Sequence, residues 1–191
     1  MPNVLTYHQN PYTISFDEVG NAFESFYSYH PEFMGELNTK LLTFKNGDIY
    51  AHNNNSTYCN FYGNQYNASI TTVFNAQSLD KKTWVSLMET GNTIWECPII
   101  YTQMDSYVTE VDHLPYHVKQ ESELLEADFQ ILESEYHASF LRDSNSQGGL
   151  VEGDTLKGGY IIIKFEKTSP QSFVYLNSAT AKYINSALNN R

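Results

Sequence analysis

The sequence holds only two cysteines, Cys59 and Cys97, in different segments and without CxxC spacing. That is too few for a disulfide scaffold, so two unpaired, mostly buried thiols are expected. Basic residues are also scarce: 11 Lys and Arg stand against 22 Asp and Glu, giving a net charge of −11. This balance argues against a surface that grips nucleic-acid phosphates, because such grip comes from clustered Lys and Arg. It does not argue against a passage through which DNA slides, since an acidic lumen repels rather than binds. No run approaches the roughly 20 apolar residues that span a bilayer, and the opening MPNVLTYHQNPY has neither a basic flank nor an apolar signal core. A soluble chain with no membrane partner is expected. Without a secretory signal, the three sequons at Asn54, Asn55 and Asn67 read as products of an Asn-rich composition rather than glycan sites. No GxSxG, Gly-rich phosphate loop, HExxH or Cys-His nucleophile pattern occurs, so no catalytic residues and no cofactor are assigned.

What the chain does have is aromatic mass. Among 191 residues there are 15 Tyr and 11 Phe, and 41% of the chain is hydrophobic, enough to bury a core in one large or two small domains. These residue types favour strands over helices, so the expected class is all-β. The most ordered stretch is 13–53, which reads as two consecutive β-hairpins. Thr13–Phe16 and Ala22–Tyr29 flank a turn at Asp17–Asn21, and Lys40–Lys45 leads through Asn46-Gly47 into Asp48–His52. Asn-Gly is the dipeptide that most readily takes the two positive φ values of a type I′ turn. Two hairpins in about forty residues is the size of one four-stranded propeller blade. A single blade cannot cover its own faces, so it implies either a piece of a larger protein or a different small β fold.

After an Asn-rich loop, 52–60, a β-sandwich-like second domain is expected over 61–191, against a blade-like first domain over 1–60. Its strands are read at Gln65–Asn75, Lys82–Met88, Ile94–Tyr101, Gln103–Asp112, Glu135–Arg142, Gly159–Lys167 and Gln171–Leu176, followed by a short ending, Ala179–Arg191. Trp84, Ser86 and Met88 are placed on one face of their strand, and Val85 and Leu87 on the other. The period changes once: Leu125, Phe129, Leu132 and Tyr136 fall at helical spacing, which predicts one short helix within Lys119–His137, ending near Ser134.

Candidate chemistry is thin. His113 and His117 have the i, i+4 spacing of paired metal ligands, but Pro115 between them breaks the helix that spacing needs. The loop Asp143–Asp154 partly copies a twelve-residue calcium loop, with Asp143, Asn145, Gln147, Gly148 and Leu150 in register. Its twelfth position is Asp154 rather than Glu, and its flanks read as strands. No metal site is therefore assigned. Asp17, Glu18, Glu24, Glu32 and Glu36 contain the residue type of a glycosidase pair, with nothing to single out two of them. His30 and His137 read as structural histidines. Tyr27, Tyr29, Tyr58, Tyr62 and Tyr66 suit either stacking on sugars or filling a protein interface.

Three segments carry a resemblance: FDEVGNAFESFYSYHPEFM, then LLTFKNGDIYAHN, then NFYGNQYNASITTVFN. The matching positions are Asp17, Phe23, Ser25-Phe26-Tyr27-Ser28, Pro31-Glu32, Phe44-Lys45-Asn46-Gly47, His52-Asn53, Phe61-Tyr62-Gly63 and Phe74-Asn75. Later, FLRDSNS at Phe140–Ser146, LVEGDTLKGGYIIIKF and the closing INSALNN continue it. Together they resemble the tail stabilisation or muzzle proteins of crAss-like bacteriophages, which are likened to the nozzle proteins of short-tailed phages. Phe23 stands where the family pattern has Trp. The resemblance covers nearly the whole chain, as the C-terminal portion of a longer family member. It implies a virion structural component, made in the bacterial host cytoplasm, that assembles as a homo-oligomeric ring, sixfold in the family. That ring lies below the portal and its adaptor proteins and lines or closes the DNA exit channel, with DNA passing through and not specifically bound. It carries no active site across, so the expectation is a non-enzyme. A carbohydrate-binding or host-recognition β module is the alternative, and a glycoside hydrolase the third.

Overall fold

A computed structural model describes residues 13–77, 79–109 and 115–186. The chain forms two compact units, Met1–Tyr66 and Asn67–Arg191, and both are built from antiparallel strands. The all-β class read from the composition holds.

In the first unit, β1 (Thr13–Asp17) and β2 (Ala22–Tyr27) form a two-stranded ribbon. Its turn is set by Asp17, whose carboxylate accepts the N–H of Val19 and of Gly20, each at 2.9 Å. A Cβ on Gly20 would meet Asp17 Oδ2 at 2.6 Å, so a side chain there would push the carboxylate aside and disturb this turn. β3 (Phe33–Leu37), β4 (Lys40–Lys45) and β5 (Asp48–Ala51) make a separate three-stranded sheet. β6 (Asn60–Phe61) and β7 (Asn64–Gln65) make a small hairpin. Both expected hairpins are present, but they do not join into one four-stranded blade: among the described residues β2 pairs only with β1, and β4 takes β3 on its second edge. The unit extends past the expected boundary at Asn60, because the β6–β7 hairpin packs its Phe61 ring on Tyr29, 4.7 Å between centroids.

Asn46 and Gly47 have φ of 54° and 85° between the paired Lys45 and Asp48, as a two-residue type I′ turn requires. No atom lies within 4 Å of where a Gly47 side chain would begin, so a substitution there is penalised by backbone conformation alone. Gly47→Val is expected to lose on the order of 1–3 kcal/mol, with Gly47→Asn recovering much of it because Asn tolerates positive φ. Chemical denaturation of the two variants checks this; equal stability of Val and Asn would refute it.

The second unit is sandwich-like. One sheet has the order β11 (Pro115–Leu124), β10 (Glu96–Thr109), β15 (Ile161–Lys167), β8 (Ala68–Phe74). The other runs β12 (Gln130–Leu132), β13 (Glu135–Ser139), β9 (Lys82–Gly91), with β14 (Lys157–Gly158) following β13 along β9 and β16 (Leu176–Asn185) on the opposite edge of β9. Trp84 and Leu87 of β9 pack with Ile100 of β10 and Ile161, Ile163 and Phe165 of β15 in a continuous core.

Three expectations are corrected here. The helix expected before Ser134 is replaced by the end of β11, a 3₁₀ turn at Glu126–Asp128, and β12. Leu125 and Leu132, two of the four residues of the supposed helical face, are exposed. The buried set is Gln120, Ser122 and Leu124, a period of two whose inward positions are mostly polar and therefore invisible to a hydrophobicity pattern. The only α-helix among the described residues is the single turn α1, Gly149–Glu152. Second, the supposed short ending contains β16, ten residues long. Third, the faces of β9 swap midway: Lys82 and Trp84 are buried, then Leu87 and Glu89. The pairing with β16 passes from Trp84 to Ser86 without a partner for Val85, a bulge that shifts the phase by one residue.

Two charged groups sit inside this core. Lys82 is fully buried, and its Nζ donates to the carbonyls of Gln77 (2.7 Å), Gly159 (2.6 Å) and Asp80 (3.3 Å) while lying over the rings of Trp84 and Tyr183. Glu89 is also fully buried: Oε1 accepts the Trp95 N–H at 2.7 Å, and Oε2 has no partner among the described residues. Burial pushes its carboxyl up to about 7, against the smaller opposing effects of the Trp95 hydrogen bond and of Lys167.

Candidate functional site

Most residues singled out for chemistry have structural work. Asp17 organises its turn, Glu32 accepts the Asn46 N–H at 3.2 Å, and Glu24 lies 3.5 Å from the Ser15 hydroxyl. Glu18 and Glu36 are exposed. His137 sits 3.3 Å from Glu135, and His30 Nδ1 is buried without a partner among the described residues. His113 lies outside the described residues, and His117 falls within β11 rather than a helix. Among the described residues no three His, Cys, Asp or Glu side chains are placed to hold a metal ion. The thiols are both free, Cys97 buried and Cys59 half-buried.

The loop that resembled a calcium site is folded on itself. Asp143 is fully buried, and its Oδ1 accepts the N–H groups of Glu121 (3.0 Å) and Asn145 (3.1 Å). Ser144 N–H donates to the Glu121 carbonyl at 2.8 Å and Asn145 Nδ2 to the Lys119 carbonyl at 2.9 Å. The side chains at the first and third ligand positions thus face the outer edge of β11. Burial, reinforced by Asp154 and Glu121, raises the Asp143 carboxyl, against the pull of its two backbone hydrogen bonds.

The first unit is where surface chemistry concentrates. Among its described residues only Tyr29 and Thr43 are buried. Thr43 Oγ1 accepts from the Tyr62 hydroxyl at 2.9 Å and lies 2.8 Å from His52 Nε2. The Tyr29 ring lies against His52 and Phe61, at 4.6 and 4.7 Å. Burial lowers the His52 pKa, so the imidazole is neutral at pH 7, and burial, then Tyr27 and Tyr62, raises that of Tyr29. Of the five tyrosines read as candidates, Tyr27, Tyr29 and Tyr62 belong to this cluster, and Tyr66 packs on Phe61. Tyr58 stands at its rim.

Both sheets turn their other faces outward, and those faces are apolar. In the ribbon, Ile14 pairs with Phe26 and Phe16 with Phe23, so the four share one face; Phe23 and Phe26 are each 69% exposed. In the three-stranded sheet, Phe33, Phe44 and Ile49 form one cross-strand row, with Phe33 65% and Ile49 63% exposed. Sheets with one solvated face normally alternate apolar inside and polar outside. Here the polar hydroxyls and imidazole are inside.

Beside the cluster is a hollow of about 360 Å³, formed by the turn after β5, the Asn-rich loop and the β6–β7 hairpin. Its wall includes Tyr50, His52, Phe61 and Tyr62, and its rim Asn53, Asn54 and Tyr58. Sequence reading found Tyr58 and Tyr62 and named the Asn-rich stretch as a loop. It missed His52 and Thr43, because only the β4–β5 register brings them beside Tyr62. The sequence matches no family model and no curated protein.

Proposed function

We propose that this protein is a structural subunit of a phage tail, part of the ring-shaped nozzle below the portal, associating with further copies and with portal, adaptor or other tail proteins. The observation that supports the reading best is the inverted first unit: two small sheets that bury little and present rows of Phe, Ile and Leu outward. Faces of this kind mark surfaces that are covered in an assembly. The acidic balance suits a passage that DNA crosses without sticking, and the motif resemblance supplies the assembly type.

Sedimentation velocity of the chain, alone and with a double substitution Phe23→Ser and Phe33→Ser, tests it. Species heavier than the 21.9 kDa monomer, reverting to monomer in the variant, are expected. A gel shift with double-stranded DNA should show no firm binding at physiological salt. A protein that is monomeric at every concentration and indifferent to the substitutions, or firm salt-sensitive DNA binding, would overturn the reading.

A further inference from the structure

The hollow in the first unit differs from the rest of the molecule in one respect that selects a ligand. The chain carries 33 formally charged side chains, 22 acidic and 11 basic, yet none of the described residues lining this hollow is Asp, Glu, Lys or Arg. The one imidazole among those described residues, His52, is held close to the Thr43 hydroxyl, itself the acceptor for Tyr62. A phosphate or carboxylate finds no cation here, and a cationic ligand finds no carboxylate.

What the hollow offers instead is aromatic faces and amides. Tyr50 and Tyr62 meet edge to face at 4.6 Å on the wall, and Tyr58 stands 45% exposed at the rim. Asn53 and Asn54 present amides that make no hydrogen bond among the described residues, while the Asn55 Oδ1 is engaged by the Thr57 N–H at 2.9 Å. An amide offers both donors and acceptors, which matches vicinal hydroxyls. An aromatic face matches the C–H face of a pyranose ring. The loop bearing these groups is fixed at its base, where Tyr66 N–H donates to the Cys59 carbonyl at 2.8 Å and Gln65 Nε2 to the Tyr58 carbonyl at 2.8 Å. A volume of about 360 Å³ lies at the lower end of small-molecule sites, roughly 300–1,000 Å³.

We infer that this hollow is a binding site for a neutral saccharide, with Tyr58 as stacking platform and the Asn53 and Asn54 amides as hydroxyl partners. The inference is independent of the assembly reading, since it rests on a concave, uncharged surface and not on the apolar sheet faces. In a tail protein it would place a contact for an uncharged cell-surface glycan.

The test uses the full chain and a panel of neutral oligosaccharides built from glucose, galactose, mannose, xylose and rhamnose, with a sialylated oligosaccharide as charged control. Binding is read by saturation-transfer NMR and calorimetry. At least one neutral member should bind with Kd between about 1 mM and 1 µM. Tyr58→Ala should weaken it about tenfold, as should Asn54→Asp, which sets a charge in the rim. Both sites are exposed, and circular dichroism confirms that the variants fold. The same saccharide should slow alkylation of Cys59, which lies in the hollow, with buried Cys97 as the internal reference. No binding by any neutral member at about 10 mM, binding indifferent to both substitutions, or preference for the sialylated control would overturn the inference. None of these outcomes bears on sedimentation, so the two readings fail separately.

Discussion

Lys82→Met is expected to cost the second unit about 3 kcal/mol of stability. The methionine keeps an apolar stem of similar length against Trp84 and Tyr183, so packing is nearly conserved. What disappears is the ammonium that gathers the carbonyls of Gln77, Asp80 and Gly159. Hydrogen bonds to a charged donor contribute about 1.5–3 kcal/mol each, and a buried acceptor left alone costs about 1–3 kcal/mol. Gln77 and Asp80 sit on an exposed turn where water replaces the lost donor, whereas Gly159 is buried. Relief of the ammonium's own desolvation offsets part of the loss, which is why the expected figure is well below the sum of three bonds. Lys82→Arg should not rescue fully, because a planar fork cannot occupy a site shaped for three converging carbonyls. Urea denaturation followed by Trp84 and Trp95 fluorescence reads this unit directly, since the chain's two tryptophans both lie in it. A Met variant as stable as the parent would show that the lysine is merely tolerated.

The second large effect concerns pH. The Glu89 carboxyl is raised from 4.5 to about 7 in the folded protein, first by burial. A raised acid pKa means that the folded state holds the proton more tightly than the unfolded chain. The associated stability is fully present below about pH 4.5 and is lost as pH rises through 7. At 1.36 kcal/mol per pKa unit, the loss is on the order of 3 kcal/mol. Stability should therefore fall between pH 5 and pH 8. Glu89→Gln, which keeps an acceptor for the Trp95 N–H but cannot ionise, should flatten that fall and exceed the parent at pH 8. Parallel stability curves for parent and variant across this window would rule the account out.

How much of this was legible in the residues depends on which signal each element uses. Asn46-Gly47 was legible because its dipeptide states the turn type. Asn38-Thr39 and Glu133-Ser134 close hairpins with the same pair of positive φ values, yet neither dipeptide announces it; the flanking strand pairing imposes the conformation. The strands β8, β9 and β13 were found from alternation, and β15 from its apolar run. Leu125 to Tyr136 misled because apolar residues in successive short strands and turns happen to fall at helical spacing. The buried Lys82 and Glu89 were illegible in principle, since a charge in a strand reads as an outward position until the Val85 bulge and the carbonyls around Nζ are known. The hollow was half legible: the tyrosines and the Asn-rich loop were visible, while their convergence depends on pairing between β4 and β5.

The loop from Asp143 to Asn145 has a consequence for how the second unit can grow. A ten-residue border strand is a template onto which another chain can crystallise, one backbone after the next. Here a carboxylate, an amide and one loop N–H take up the N–H and the carbonyl of Glu121 and the carbonyl of Lys119. The molecule thus supplies its own terminating rung on that side. Extension of these sheets is thereby hindered at Lys119–Glu121 and left to other borders, β8, β12, β14 and β16 among them, and so acquires a direction.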